Sequence, residues 1–152
     1  MDYLFDTNIL LLYLRRPDLR DQVEQILNFQ RGRDSVILSV VSTGEIKSLA
    51  IQNKWGIQRL AKLETLLQQF LIADINVKSI VEQYAQIDAF SQGQLPDRKV
   101  SFTARNMGKN DLWIAATAAV LEVPLVTMDH DFDHLQSLYL SLQKIDLKNV
   151  IK

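Results

Sequence analysis

The chain alternates short apolar runs with longer segments whose apolar residues recur every three or four positions. Short apolar runs bounded by polar residues are typical of buried strands, and the longer recurrence is typical of amphipathic helices. The short runs predict strands at residues 3–5, 35–39, 71–75, 124–127 and 141–145. Strands that alternate with helices predict an α/β fold, with a mostly parallel central sheet of four to five strands flanked by helices.

The longer segments predict the helices that connect these strands. They comprise an apolar run at 9–14, a segment from Asp18 to about Gly32, one that carries Glu45 in its first turns, one at 57–67, one around 80–87 and one at 111–122. We expect Asn110 to cap the last helix. Residues 92–109 contain two glycines and a proline, which predicts a loop. No linker or repeat divides the sequence, so we expect one domain over residues 1–152.

Composition narrows the class of protein. The 152 residues are 47% hydrophobic and 23% charged, which is ordinary for a globular domain. Cysteine is absent, which excludes disulfides, thiolate metal sites and cysteine nucleophiles. The net charge is −1, so contact with nucleic acid would need a local basic patch. No apolar run approaches the roughly 18 residues of a membrane span, and the first residues do not resemble a secretion signal. We expect a cytoplasmic protein without membrane contact.

Acidic residues follow or precede the predicted strands in a consistent way. Asp6 comes directly after the first strand, and Asp129 comes just after the strand at 124–127. Asp111 begins the helix that leads into that strand, and Glu45 lies in the helix after the second strand. Because ligands bind at the carboxyl ends of the strands in such sheets, we expect the four acids to converge there.

Converging carboxylates repel one another unless a cation lies between them. Oxygen ligands of this kind favour Mg²⁺ or Mn²⁺, which keep several waters and recruit phosphate groups. Such ions promote hydrolysis of phosphodiesters. Each acid alone fits a turn, a helix cap or a solvated surface position. Only the four acids together predict a metal site.

The segments that carry these acids resemble the motifs of the PIN-domain nucleases. The matching segments are DTNIL at 6–10, STGEI at 42–46, NDLWIAATA at 110–118 and LVTMDHDF at 125–132. Their order and spacing agree with the family along essentially the whole chain. The length and the third motif most resemble the VapC-like toxins of bacterial type II toxin–antitoxin systems.

The resemblance implies an Mg²⁺- or Mn²⁺-dependent endoribonuclease that leaves a 3′-hydroxyl and a 5′-phosphate. It also implies a cognate antitoxin that holds the enzyme inactive, and a homodimer. The implied catalytic and metal-binding residues are Asp6, Glu45, Asp111 and Asp129, supported by Thr7, Asn8 and Thr127. Asp131 lies close enough to Asp129 to be the fourth acid instead, and we otherwise expect it to support the site. The alternative function is a non-catalytic PIN scaffold that binds RNA or protein.

The loop before Asn110 is a candidate RNA contact. Its basic residues are Arg98, Lys99, Arg105 and Lys109, with Phe102 between them. Lys and Arg bind phosphates and an aromatic ring can stack on an unpaired base, although a solvated surface loop fits the same residues. We expect the two histidines, at 130 and 134, to be exposed. Apolar faces of the first two helices could seat an antitoxin helix.

Overall fold

A computed structural model describes residues 1–147 of the chain. Within them, five strands form one parallel sheet in the order β3-β2-β1-β4-β5. The strands are β1 (Asp2–Phe5), β2 (Ser35–Ser39), β3 (Leu71–Ala73), β4 (Leu125–Thr127) and β5 (Leu142–Lys144). The α/β class and the parallel sheet predicted from the sequence are therefore confirmed.

Helices connect the strands and cover both faces of the sheet. They are α1 (Thr7–Arg15), α2 (Pro17–Leu27), α3 (Val40–Gln52), α4 (Ile57–Gln68), α5 (Lys78–Ser91) and α6 (Lys109–Leu121), with a short 3₁₀ turn at Asp133–Leu135. None of these helices is both long enough and apolar enough to cross a membrane, as far as the structure describes the chain.

Two apolar cores lie on opposite faces of the sheet. Successive side chains of a strand point to opposite faces, and β1 follows this rule: Phe5 packs in one core and Leu4 in the other. The Phe5 core includes Tyr13 of α1, and the Leu4 core includes Ile114 of α6 and Phe90 of α5. Strand β1 is thus buried at the centre of the sheet, which fixes the position of the residue that follows it.

The predicted helix ends differ from the structure at two places. Helix α6 begins at Lys109 and its N-cap is Gly108, so the prediction that Asn110 caps it is wrong by two residues. Helix α2 begins at Pro17, where a missing N–H does no harm in the first turn. It ends at Leu27, because Asn28 adopts a left-handed conformation with φ 52° and ψ 41°. Gly32, the predicted end, lies in the next loop.

One predicted apolar face and two predicted strands are also less extensive than expected. In α4 the side chain of Leu60 is 41% exposed, whereas Leu63 is buried. Strand β3 ends at Ala73 and β5 covers three residues. Both are edge strands with one hydrogen-bonded neighbour each, so their apolar runs extend beyond the paired backbone.

Candidate active site

The carboxyl ends of the central strands meet at one edge of the sheet. Phe5 of β1 pairs with Leu38 of β2 and with Val126 of β4, so these strands end level with one another. Asp6 directly follows β1, and Asp129 comes two residues after β4 ends. Helix α3 starts where β2 ends and carries Glu45 to the same edge.

Three acids form a compact cluster at this edge. One carboxylate oxygen from each of Asp111, Asp129 and Asp131 lies within 4.8 Å of the others. Asp111 and Asp129 are half-buried, whereas Asp131 is exposed. The backbone N–H of Asp131 donates to Oδ1 of Asp129 at 3.0 Å, which fixes the turn that holds both residues. Asp129 and Asp131 therefore both contribute to the cluster.

Asp6 is the most buried acid of the site, with 5% of its surface exposed. Its Oδ1 accepts a hydrogen bond from the backbone N–H of Thr7 at 2.7 Å, and its Oδ2 accepts one from the hydroxyl of Thr127 at 2.7 Å. Burial raises the pKa of Asp6, the two hydrogen bonds lower it, and the charges of Asp129 and Glu45 raise it further. The net pKa lies above its usual value.

Thr127 connects two of the acids. Its fully buried hydroxyl donates to Asp6 and accepts a hydrogen bond from the backbone N–H of Asp129 at 3.0 Å. The hydroxyl thus acts as donor and acceptor between β1 and the turn after β4. Thr127 therefore bridges Asp6 and Asp129, and its role as a supporting residue of a metal site stays a prediction.

Thr7 connects α1 to the acid on α3. Its hydroxyl donates to Oε1 of Glu45 at 3.0 Å and lies 2.9 Å from the hydroxyl of Ser42. Ser42 is fully buried and was not among the predicted site residues. Residues three apart on a helix share a face, so the spacing of Ser42 and Glu45 was the signal that could have identified it.

Asn8 differs from the other predicted supporting residues. Its side-chain Oδ1 is buried and has no hydrogen-bond partner among the residues that the structure describes. Asn8 follows Thr7 at the start of α1, yet no hydrogen bond links its side chain to an acid within residues 1–147. The structure therefore gives no contact that supports the predicted role of Asn8.

The electrostatics of Asp111 show how strongly the acids interact. Its pKa is raised to about 7, first by burial and then by the charges of Asp6, Asp129, Asp131 and Glu45. No Lys or Arg among the described residues forms an ion pair with any of these five carboxylates. Uncompensated oxygen ligands at this spacing fit a hard divalent cation such as Mg²⁺ or Mn²⁺.

The predicted RNA-contacting residues divide into two groups. Lys109 is the first residue of α6, two positions before Asp111, and is exposed, as is Lys99. Arg98 instead lies over two aromatic rings, with its guanidinium 5.7 Å from the centroid of Phe90 and 5.6 Å from that of Tyr139. Lys109 therefore belongs to α6 and not to the predicted loop, and Arg98, although it packs on aromatic rings, is exposed like the two lysines.

Arg105 is anchored through its backbone. Its N–H donates to the carbonyl of Ser91 at 2.7 Å, which joins the loop to the end of α5, and its side chain is exposed. Phe102 packs against Phe90 at a centroid distance of 5.3 Å. The loop is therefore tied to α5 at two points, and its exposed cations extend from a packed base.

The two histidines occupy different environments. His130 is exposed, and its ring contacts Asp133 and Lys144. The expectation of exposure is wrong for His134, which is half-buried with Nε2 2.7 Å from the hydroxyl of Ser91. Burial lowers its pKa, and the charge of Arg105 lowers it further. The 3₁₀ turn directs this ring toward α5, where aromatic side chains surround it.

Comparisons with known proteins find a family model and similar solved structures that cover most of the chain. The sequence model of the PIN domain family matches residues 3–138. No curated protein sequence matches the chain significantly. Among solved structures, VapBC2 from Rickettsia felis, bound to a DNA fragment from its promoter, is similar at 20% identity, with 96% of this chain and 100% of that chain covered and a TM-score of 0.71.

Two further structures show the same fold. VapBC-1 from nontypeable Haemophilus influenzae is 22% identical, with 95% of this chain and 98% of that chain covered and a TM-score of 0.69. VapBC-5 from Mycobacterium tuberculosis, a member of the VapBC family of toxin–antitoxin systems, is 22% identical over the same shares, with a TM-score of 0.58. The overlap spans nearly the full length of each chain.

Proposed function

The chain belongs to the PIN domain family, and from this membership we propose that it is an endoribonuclease that hydrolyses RNA phosphodiester bonds with Mg²⁺ or Mn²⁺. The observation that carries the proposal is the convergence of five carboxylates without a basic partner in the described part of the chain. Such a site is electrostatically unfavourable alone and becomes favourable when a divalent cation binds.

The acids would have different roles in the proposed site. Asp6, Glu45, Asp111 and Asp129 would hold the cation, with Asp131 beside them. The cation supplies charge neutralisation for the phosphate and activation of a water nucleophile. Thr127 holds Asp6 and Asp129 at a fixed spacing through its two hydrogen bonds.

The reaction is an attack of water on phosphorus. The oxygen of the water forms a bond to phosphorus, and the bond between phosphorus and the 3′-oxygen breaks. A carboxylate of the cluster would accept the proton of the attacking water, and Asp131, its exposed member, is our candidate for that role. The departing 3′-oxygen takes up a proton from solvent. The products carry a 3′-hydroxyl and a 5′-phosphate.

Lysine and arginine side chains near the acids would guide the RNA strand. Lys109 lies two residues from Asp111 at the start of α6, and Lys99 and Arg105 are exposed in the preceding loop. Phosphate contacts from such residues supply affinity that is independent of sequence. Arg98 is also exposed and could contact the strand, while its guanidinium lies over the rings of Phe90 and Tyr139.

The regulatory part of the proposal is that this chain is a VapC-like toxin neutralised by a cognate antitoxin, and that it forms a homodimer in the cytoplasm. The likeness to solved structures of VapBC proteins, one of them described as a member of a family of toxin–antitoxin systems, supports the antitoxin part of this proposal. A mostly apolar groove of about 490 Å³ lies between α1, α2 and α4, lined by Tyr13, Leu14, Pro17 and Leu66 among others. Such a groove suits an amphipathic antitoxin helix.

The test is the product chemistry of RNA incubated with the purified protein. In Mg²⁺ or Mn²⁺ we expect cleavage of single-stranded RNA into fragments that carry a 5′-phosphate, detected by their sensitivity to a 5′-phosphate-dependent exonuclease. Addition of EDTA should stop the reaction. Cleavage that continues in EDTA and yields 2′,3′-cyclic phosphates would contradict the metal-dependent mechanism. RNA binding without any cleavage would leave the non-catalytic scaffold as the function.

A further inference from the structure

A second cavity borders the acid cluster on the side of Glu45. It lies between α3 and α6 and has a volume of about 660 Å³. Glu45 lines it together with Gly44 and Gln52 of α3 and Asn110 and Trp113 of α6. We call it the α3–α6 cavity. Because Glu45 contacts Thr7 and Asn110 directly precedes Asp111, the cavity opens beside the carboxylates themselves.

Gly44 has no structural reason to be a glycine. It lies in the interior of α3, where glycine destabilises a helix relative to alanine. Its backbone does not have a positive φ, and a Cβ atom at this position would meet no heavy atom within 4 Å. The described fold therefore gives no reason why a side chain should be absent at this position. Glycine at such a position is explained if a ligand approaches the helix backbone closely.

Trp113 supplies a fixed aromatic surface in the same cavity. Its ring packs on Tyr84 of α5 with a centroid distance of 4.3 Å and an interplanar angle of 38°. The indole is half-buried and lines the cavity, three residues along α6 from Asn110. Residues at this spacing share a helix face. An immobilised indole is thus placed beside a side-chain amide that can both donate and accept hydrogen bonds.

We propose that the α3–α6 cavity is a subsite for one unpaired nucleobase of the RNA, which stacks on Trp113 and places its polar edge toward Asn110 and Gln52. The inference rests on the proposed function, because it locates a base next to a phosphate bound at the acids. Aromatic stacking combined with hydrogen bonds to the base edge is how proteins bind single-stranded RNA. Lys47 and Lys109, exposed on the two bordering helices, suit the flanking phosphates.

The first test measures binding by the fluorescence of Trp113. The chain has two tryptophans, so Trp55→Phe leaves Trp113 as the single reporter. The added change Asp111→Asn prevents cleavage during a titration with a short single-stranded RNA in Mg²⁺. We expect saturable quenching as a base stacks on the indole. This readout keeps the cavity intact, so it does not depend on whether a cavity variant folds.

A matched pair of variants at Gly44 tests whether the open space matters. Gly44→Ala adds a Cβ where the free protein has room, so it should fold normally and raise Tm by about 2–4 °C through helix propensity, while it weakens RNA binding less than a long side chain does. Gly44→Gln places a long side chain in the cavity and should weaken RNA binding about tenfold or more, the scale of one base stack. Trp113→Leu should reduce binding to a similar extent.

The outcomes separate the subsite from the nuclease activity. Quenching by RNA that Gly44→Gln abolishes supports the subsite even if wild-type protein cuts no RNA, in which case the proposed function fails alone. RNA cleavage and binding that stay unchanged in Gly44→Gln, with no quenching of Trp113, overturn the subsite and leave the nuclease intact. A changed oligomeric state in Gly44→Gln with unchanged RNA affinity also overturns it, because the cavity would then be a protein contact.

Discussion

Asp111 shows how the convergence of the acids affects the pKa of a single residue and, through it, the stability of the fold. Its pKa of about 7 lies well above the ordinary value of 3.8, because burial and four neighbouring carboxylates disfavour its charge. The unfolded chain releases this proton near pH 4, whereas the folded chain holds it to about pH 7. The folded state is therefore progressively destabilised, relative to the unfolded state, as pH rises through this window.

Asp111→Asn should accordingly stabilise the protein at high pH when no divalent cation is present. At pH 8 in EDTA we expect a gain of roughly 1–2 kcal/mol, reduced from the full linkage value because the group is half-exposed, or about 2–6 °C in Tm. At pH 4.5 the gain should nearly vanish. Thermal unfolding at both pH values checks this. An equal gain at both would contradict an electrostatic cause.

Asp133 provides the matched control for this experiment. It lies near the cluster in sequence but forms an ion pair with Lys144 and a hydrogen bond with His130, so its negative charge already has a positive partner in Lys144. Asp133→Asn should therefore give no stabilisation at pH 8. A gain as large as that of Asp111→Asn would show that removing any acid from this surface has the same effect.

Thr127 is the residue whose removal should disturb two acids at once. Thr127→Val keeps the buried shape but leaves Asp6 without its hydroxyl donor and the N–H of Asp129 without an acceptor. Unsatisfied buried polar groups cost roughly 1–3 kcal/mol each, and loss of a group that orients metal ligands reduces metal affinity or activity about 10–100-fold. Chemical denaturation and Mn²⁺-dependent cleavage rates measure the two effects.

Thr127→Ser is the corresponding rescue variant. It retains the hydroxyl that bridges Asp6 and Asp129 and removes only a methyl group. Activity should stay close to wild type in Ser and fall in Val. If both variants lose activity equally, the bridging hydrogen bonds are not what positions the acids.

The sequence predicted some residues of the site and not others. The positions of Asp6, Glu45, Asp111 and Asp129 at strand ends and helix starts predicted their convergence, and the structure brings them to one edge of the sheet. Their roles as ligands stay predictions. The buried hydroxyl of Ser42 was missed: its spacing from Glu45 indicates a shared helix face, but its contact with Thr7 depends on how α1 and α3 pack.

At the level of the elements, the packing of the loop between α5 and α6 determines where its lysine and arginine side chains lie. The carbonyl of Ser91 fixes the backbone of Arg105, and Phe102 packs on Phe90. His134 adds a contact at Ser91 from the 3₁₀ turn. These contacts hold the loop against α5, close to the start of α6, where Asp111 lies.

Removal of two loop cations should weaken RNA binding without regard to sequence. The double variant Lys99→Ala/Arg105→Ala leaves the backbone bond to Ser91 in place, because that bond uses a main-chain N–H. The slope of log affinity against log salt should fall by about 0.7 for each phosphate that the removed cations neutralise in the wild-type complex. Filter binding of single-stranded RNA over a range of salt concentrations measures it.

Arg31 serves as the control for that slope. It lies just before β2, at the amino end of the sheet, and pairs with Glu24. Arg31→Ala should leave both affinity and slope unchanged. An equal decrease in the control would indicate that RNA responds to the overall charge of the protein and not to the loop.

The boundaries of elements were harder to predict than their existence. Asn110 is a favourable N-cap residue by type, yet α6 begins earlier, at Lys109, and its N-cap Gly108 makes no side-chain hydrogen bond. Helix α6 packs against α5 and α3, and its start does not follow the capping preference of Asn110. Similarly, a left-handed Asn28 ends α2 before the glycine that the sequence favours as a terminator. The existence of the five strands was predictable from short apolar runs, whereas their order in the sheet depends on long-range packing.

Across the whole molecule, the topology explains why the site lies where it does. From β1 the chain passes to β2 and then β3 on one side of the sheet, and β4 and β5 fill the other side. The order therefore changes direction between β1 and β4. Crevices at the carboxyl ends of strands beside such a switch point are the usual binding sites of α/β sheets. Asp6 and Asp129 follow the two strands that flank it.

The decisive measurement for a metal-dependent site is the rate of RNA cleavage in Mn²⁺ by wild-type protein, Asp111→Asn and Asp133→Asn. We expect wild type and Asp133→Asn to cleave at similar rates, and Asp111→Asn to be at least about 100-fold slower, since it loses one of the carboxylates proposed to hold the cation. Comparable cleavage by Asp111→Asn, or no cleavage by any of the three proteins, would contradict a metal-dependent ribonuclease site at the converging acids.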